Sequence, residues 1–158
     1  MRVAILTISD SVARGEREDL SGPALASRCH ELGWEVALAL RCSDDAAEVR
    51  SQLRTVADSS HPDLLLTTGG TGLSARDNTP EATLDVADRT VPGLAEEIRR
   101  KGAEKTPTAL LSRGIAAVRH ATLIINLPGS PKGAVESLDV IAHLLPHAIE
   151  VLRGAHHG

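Results

Sequence analysis

The glycines Gly69, Gly70 and Gly72 follow directly on the apolar run that ends in Thr67-Thr68. With no side chains at those positions, backbone N–H groups can come close to phosphate oxygens. The hydroxyls of Thr68 and Thr71 add donors, and together these make the chemistry of an anion cradle. The same glycines would also serve a tight turn that needs positive φ angles. No lysine follows at the spacing of a Walker loop, and the dinucleotide fingerprint is absent. Asp77, in Arg76-Asp77-Asn78-Thr79-Pro80, has no evident structural duty, and Asp44 stands just past an earlier apolar run. Two carboxylates placed beyond strand ends would face one cleft and hold a hydrated Mg2+ against a polyphosphate. Asp44 has a competing duty as a helix N-cap. Lys132, after the turn Pro128-Gly129-Ser130-Pro131, suits phosphate binding by charge and helix dipole, and reads equally well as a solvated side chain.

These residues need a scaffold that brings strand ends together. Val3 to Ile8, Trp34 to Leu40, Leu64 to Thr68 and Thr122 to Leu127 read as short buried strands, β-branched or leucine-rich and bounded by polar or turn residues. Between them run helical patterns. One starts near Ser21 as N-cap and stops at Gly33. A second, capped by Ser43-Asp44-Asp45, carries Ala46, Val49, Leu53 and Val56 on one face. Thr79-Pro80-Glu81 opens a third. Residues 14–19 read as a surface loop, and helices are expected over about 94–101 and 109–118. A last helix spans about 132–152, with Pro146 as a kink. Strands alternating with helices predict an α/β fold: three layers, doubly wound and Rossmann-like, with a mostly parallel sheet and helices on both faces. Ligands of such sheets bind beyond the carboxyl ends of the strands. Here those ends carry Ser9-Asp10-Ser11, Ser43-Asp44, the glycine loop and Pro128-Gly129-Ser130.

Composition bounds the partners. The chain has 158 residues and 42% apolar content, consistent with one domain over 1–158 whose last few residues, with His156 and His157, form a flexible tail. It has no Phe, no Tyr and only Trp34, so aromatic stacking platforms are excluded from most of its surface. A net charge of -4 argues against sequence-independent binding to nucleic acid or an anionic membrane. Cys29 and Cys42 lack the density of a disulfide scaffold and the spacing of a zinc site, and read as buried thiols. The apolar N-terminal run is too short for a signal peptide or a membrane span, so a cytoplasmic location is expected.

Five blocks occur in order: Thr7-Ile8-Ser9-Asp10-Ser11 with Asp19-Leu20-Ser21-Gly22; Thr67-Thr68-Gly69-Gly70-Thr71-Gly72 with Arg76-Asp77-Asn78-Thr79-Pro80-Glu81-Ala82-Thr83; Pro92-Gly93; Pro107-Thr108-Ala109-Leu110-Leu111-Ser112-Arg113; and Asn126-Leu127-Pro128-Gly129-Ser130-Pro131-Lys132. Together they resemble the molybdopterin adenylyltransferase family, over roughly residues 3 to 150. The resemblance implies transfer of AMP from Mg-ATP to the terminal phosphate of molybdopterin, with release of pyrophosphate. It also implies a homotrimer and a molybdenum insertase as a downstream partner. Asp77 matches the family's essential aspartate, Asp44 a second acidic position that handles nucleotide and metal, and Ser112 a serine linked to pterin binding. The matched blocks place Ser9, Asp10, Ser11, Ser21, Gly22, Arg76, Thr79, Pro128, Gly129, Ser130 and Lys132 among the substrate-binding residues. Asn78 stands where a small β-branched residue is usual, and Ser43 where proline is usual. Two other functions remain compatible with these blocks: a pterin-binding relative that has lost adenylyl transfer, and a scaffold module of the gephyrin type.

Overall fold

The computed structural model describes residues 1–154, so the expected His156-His157 tail lies outside the described residues. In chain order, β1 (Arg2–Ile8) leads through a short α1 (Asp10–Ala13) to α2 (Ser21–Glu31) and β2 (Glu35–Cys42). Next come α3 (Ala46–Thr55), β3 (Leu64–Thr68), α4 (Thr79–Val86), the two-residue β4 (Arg89–Thr90) and α5 (Pro92–Lys105). β5 (Ala116–Arg119), β6 (Thr122–Leu127), α6 (Pro131–Ile141) and α7 (Leu145–Leu152) follow among the described residues.

The six strands form one sheet in the order β2-β1-β3-β6-β5-β4. Side chains alternate across it, as the period of a strand requires. Val3, Ile5, Leu64, Leu66, Leu123 and Ile125 enter one apolar cluster, which α2, α5, α6 and α7 complete. Ala4, Leu6, Leu65 and Ile124 enter a second, closed by Val49 and Leu53 of α3 and by Ala82 and Val86 of α4. The layers are thus helix, sheet, helix, as the alternation of strand and helix signals predicts.

β2, β1, β3 and β6 are mutually parallel, and their registers align the ends. Ile8 pairs with Cys42, Thr7 with Thr68, and Thr68 with Leu127. The loops leaving four strands therefore emerge side by side. β5 runs antiparallel to β6, with Ala116 opposite Ile125. Its beginning thus lies near the carboxyl end of β6, and the segment that precedes it reaches the same edge.

Several expectations are corrected. The helix expected over 109–118 is a 3-10 turn, Pro107–Leu111, followed by extended chain and β5. Ala116 to Val118 are buried on both faces of the sheet, so their apolar run carries no period that separates strand from helix. The β5–β6 hairpin turns at His120, which adopts φ 52 without glycine or asparagine, so the usual turn signal is missing. Ser21 is not the cap of α2: Asp19 Oδ1 accepts from the Gly22 N–H at 3.0 Å instead. Asp44 is not the cap of α3, because the Asp45 side chain accepts from the Glu48 N–H. A helical turn, Asp10–Ala13, capped by Ser9, precedes the loop expected over 14–19, which has no regular secondary structure. The last helix is split by a 3-10 turn at Ala142–Leu144, ahead of Pro146, which takes an early position in α7 where its missing N–H costs nothing.

Candidate functional site

At the end of β3 the chain turns through Gly69 (φ 105) and Gly70 (φ 71), both in the left-handed region. A Cβ at Gly69 would strike the Ile8 carbonyl, and one at Gly70 the Thr79 hydroxyl. The turn is bolted down: Gly69 N–H donates to Leu127 O (3.1 Å), Thr79 Oγ1 donates to Gly69 O (2.9 Å) and Thr79 N–H to Gly70 O (3.1 Å). Thr68 Oγ1 donates to Pro128 O at 2.7 Å. The Thr68 hydroxyl is therefore spent on joining two strand-end loops, not offered to an anion. Thr71 and Thr79 are buried as well, and the Thr79 hydroxyl holds the loop through Gly69 O. The positive φ angles at Gly69 and Gly70 bear out the tight-turn reading, and the same segment lines a cleft.

That cleft, about 610 Å³, is bounded by Ser9, Asp44, Gly70, Asp77, Gly129 and Ser130. A shallower recess of about 420 Å³ continues it past Asp10, Ser11, Arg76 and Asp77. Relieved of capping, Asp44 is placed by the loop after β2. Its N–H donates to Asp10 Oδ1 at 3.0 Å, while Asp10 Oδ2 accepts from Arg76 Nη2 at 3.2 Å. Partial burial, and then hydrogen bonding and charge from Asp10, push the Asp44 carboxyl above the usual aspartate value. Asp10 moves the other way, held down first by the Asp44 backbone N–H, with further contributions from the Asp44 side chain and Arg76. Asp77 folds one oxygen, Oδ2, onto the Ser74 N–H at 3.0 Å, and it lines both the cleft and the recess.

Among the described residues no group of three or more His, Cys, Asp or Glu is arranged as a metal cage. Mg2+ does not need one: it keeps several waters and takes one or two carboxylates plus substrate phosphates. Asp44 and Asp77 on one cleft fit that donor set.

Ser21 faces the cleft at the start of α2, and Gly22 lies behind it against Asp19 and Thr7. Asp19 was not singled out from the sequence as a site residue. It accepts from Thr7 Oγ1 (2.9 Å) as well as from Gly22 N–H, tying the start of α2 to the end of β1. The spacing Asp19 to Gly22 is an N-terminal capping signal, and could have revealed it.

Ser112 and Lys132 are not beside the aspartates. They line a separate cavity of about 840 Å³ between α5, α6 and the 3-10 turn, with Arg99, Lys105 and Asn126. Lys132 stands 4.0 Å from Glu136 and is highly exposed, at the rim. Ser130, which caps α6 by accepting from Gly133 N–H, borders both this cavity and the cleft, and Pro128 contributes to the cavity. Arg113 was unremarkable in sequence. Its guanidinium reaches the glycine loop, donating to Gly72 O (2.8 Å) and Asp77 O (2.7 Å) and pairing with Glu81. Contacts between positions 36 and 41 residues apart leave no local signature.

A doubly wound sheet with a glycine turn, paired carboxylates and capped helix starts at its carboxyl edge defines an α/β protein built to bind a phosphorylated ligand. Residues 4–147 match the family model described as "Probable molybdopterin binding domain", and the chain belongs to that family. It is similar to a solved structure described as the molybdopterin biosynthesis enzyme MoaB from Thermus thermophilus, at 51% identity and TM-score 0.92, covering 98% of this chain and 97% of that one. It is also 37% identical to the molybdopterin adenylyltransferase of Escherichia coli K12, over 98% of this chain and 86% of that protein. The Helicobacter pylori J99 molybdopterin adenylyltransferase is 35% identical, over 98% and 89% respectively.

Proposed function

We propose that this chain transfers AMP from ATP to molybdopterin, giving adenylylated molybdopterin and pyrophosphate in molybdenum cofactor biosynthesis. The observation that carries the reading is that Asp44, on the loop after β2, and Asp77, on the loop after β3, line one cleft together with the Gly69-Gly70 turn. The names of the curated relatives support the reaction type.

In this reading the ATP phosphates lie over Gly70 and Ser9, and molybdopterin occupies the larger cavity lined by Ser112, its phosphate directed towards Ser130 where the two cavities meet. The terminal phosphate of molybdopterin attacks the α-phosphorus of ATP. A new P–O bond forms there as the α–β anhydride bond breaks, and that bonding pair leaves with pyrophosphate. No covalent enzyme intermediate is required, so catalysis rests on position and charge. Mg2+, held between Asp44, Asp77 and the phosphates, would supply charge neutralisation. Asp10 fixes the Asp44 main chain, Asp19 fixes the start of α2, and Lys132 offers positive charge at the cavity mouth. The expected homotrimer would cover some of the exposed leucines, Leu20, Leu73, Leu84, Leu110 and Leu111.

The test is pyrophosphate release from purified protein given Mg-ATP and molybdopterin, beside Asp77→Asn. Release that falls by about a hundredfold or more in the variant, with its fold intact, supports the reading. Undiminished release refutes the assignment of Asp77. Tight molybdopterin binding with no release from the unaltered protein would identify a binding relative instead.

A further inference from the structure

The loop from Gly72 to Asn78 has no regular secondary structure, and Leu73 to Arg76 are exposed. Its internal bonds are local: Asp77 N–H to Ser74 O, and Ser74 N–H to Asp77 Oδ2, both 3.0 Å. Such a loop can swing as a unit unless something outside it holds its main chain. Arg113 does so from a segment that comes from the other side of the sheet.

The Arg113 N–H donates to Thr71 O (2.8 Å), Nε to Gly72 O (2.8 Å) and Nη2 to Asp77 O (2.7 Å), while Nη1 pairs with the Glu81 carboxylate. One residue thus grips the loop at its start and at Asp77 itself. Glu81 in the first turn of α4 in turn braces the guanidinium, and its own carboxyl is held below the usual glutamate value by Arg113. The Arg113 main chain is fixed from behind by Arg99, whose Nη1 donates to Ser112 O (3.3 Å) and Gly114 O (2.8 Å). Three fork contacts in a rigid plane are a geometry that lysine cannot reproduce.

We infer that Arg113 is a positioning residue for Asp77: by clamping the carbonyls of Gly72 and Asp77 it sets where the Asp77 carboxylate faces the cleft. This rests on the proposed role of Asp77 toward a metal-bound nucleotide. Arg113 touches neither the cleft nor the recess that Asp77 lines, so it acts only through the loop.

The test compares the full chain with Arg113→Ala, Arg113→Lys and Glu81→Gln. Mn2+ binding is measured by electron paramagnetic resonance in the presence of a non-hydrolysable α,β-methylene ATP, and amide hydrogen exchange is followed over 72–78. Arg113→Ala is expected to weaken Mn2+ binding by about 10–100-fold, as loss of an outer-shell support does. It should lower kcat by a similar factor, leave KM for molybdopterin within about twofold, and speed exchange in the loop alone. Arg113→Lys should recover little of this. Glu81→Gln keeps the Arg113 donations to the Gly72 and Asp77 carbonyls and should lose the least, which guards against a fold defect in the arginine variants.

Mn2+ binding and kcat in Arg113→Ala equal to those of the unaltered chain would overturn the inference while leaving the proposed function standing. Uniform weakening of every ligand together with a lowered melting temperature would overturn it too, as the sign of a structural role. Failure of the unaltered chain to bind Mn2+ with the nucleotide would instead remove the reading of Asp77 on which the inference rests.

Discussion

The main-chain N–H of Asp44 donates to Asp10 Oδ1 across 3.0 Å, which joins the loops after β1 and β2 where the cleft opens. The pair titrates in opposite directions, Asp44 upward and Asp10 downward. On the proposed reading cation binding needs ionised Asp44, and is lost as pH falls through its pKa, which lies above the usual aspartate value. Burial is the first cause of that rise and the Asp10 carboxylate the second. Asp10→Asn removes the second cause, so the acid limb of kcat/KM should move to lower pH. A limb that stays put would show that Asp44 does not govern it.

If the proposed function holds, Asp44 serves activity and its neighbour Asp45 serves stability. Asp45 caps α3, so Asp45→Ala should cost about 1 kcal/mol in urea unfolding and leave turnover nearly intact. Asp44→Ala should cut turnover by about a hundredfold with little loss of stability. The reverse pattern would return Asp44 to a structural role.

Asn126, buried in β6, donates from Nδ2 to Thr67 Oγ1 (3.1 Å) and Thr83 Oγ1 (3.0 Å) and accepts at Oδ1 from Ile115 N–H (3.1 Å). Asn126→Ala strands that N–H beside β5 and should destabilise the protein by about 1–3 kcal/mol. Denaturant unfolding with an unchanged slope would check it.

Burial raises the Cys29 thiol to about 11 and the Cys42 thiol to about 12, with Glu48 and Asp44 adding to the second. Neither forms the thiolate near neutrality. A thiol reagent at pH 8 should label both only after unfolding, and fast labelling of the native protein would contradict their burial.

Much of the frame was legible because its signals are local. Val3 to Ile8 and Leu64 to Thr68 are apolar on both faces and end in polar residues, which marks parallel strands and places the glycine turn at a ligand-binding edge. Asp77 stands out in the sequence for want of a structural duty, yet one of its oxygens accepts from the Ser74 N–H while the residue lines the cleft. Other features depended on contacts distant in sequence. Which of Asp44 and Asp45 caps α3 is decided by a geometry that two adjacent aspartates do not disclose. Thr68 looked like an anion donor, and is claimed by Pro128 across the sheet. The blocks assign Ser112 to pterin binding and Lys132 to substrate, but no local signal says that the fold puts both in a cavity beside the aspartate cleft. β5 was hidden because His120 makes its turn without a turn residue's signature.

Trp34 packs against the first apolar cluster just before β2, whose eight residues extend about 26 Å towards the edge that carries the aspartates. As the protein's one aromatic side chain among Phe, Tyr and Trp, it makes the chain a single-fluorophore reporter of unfolding, with the ligand edge optically silent. Emission from a bound pterin, excited beyond the indole's absorption, would therefore arise without a protein background or a stacked ring, and could follow occupancy directly.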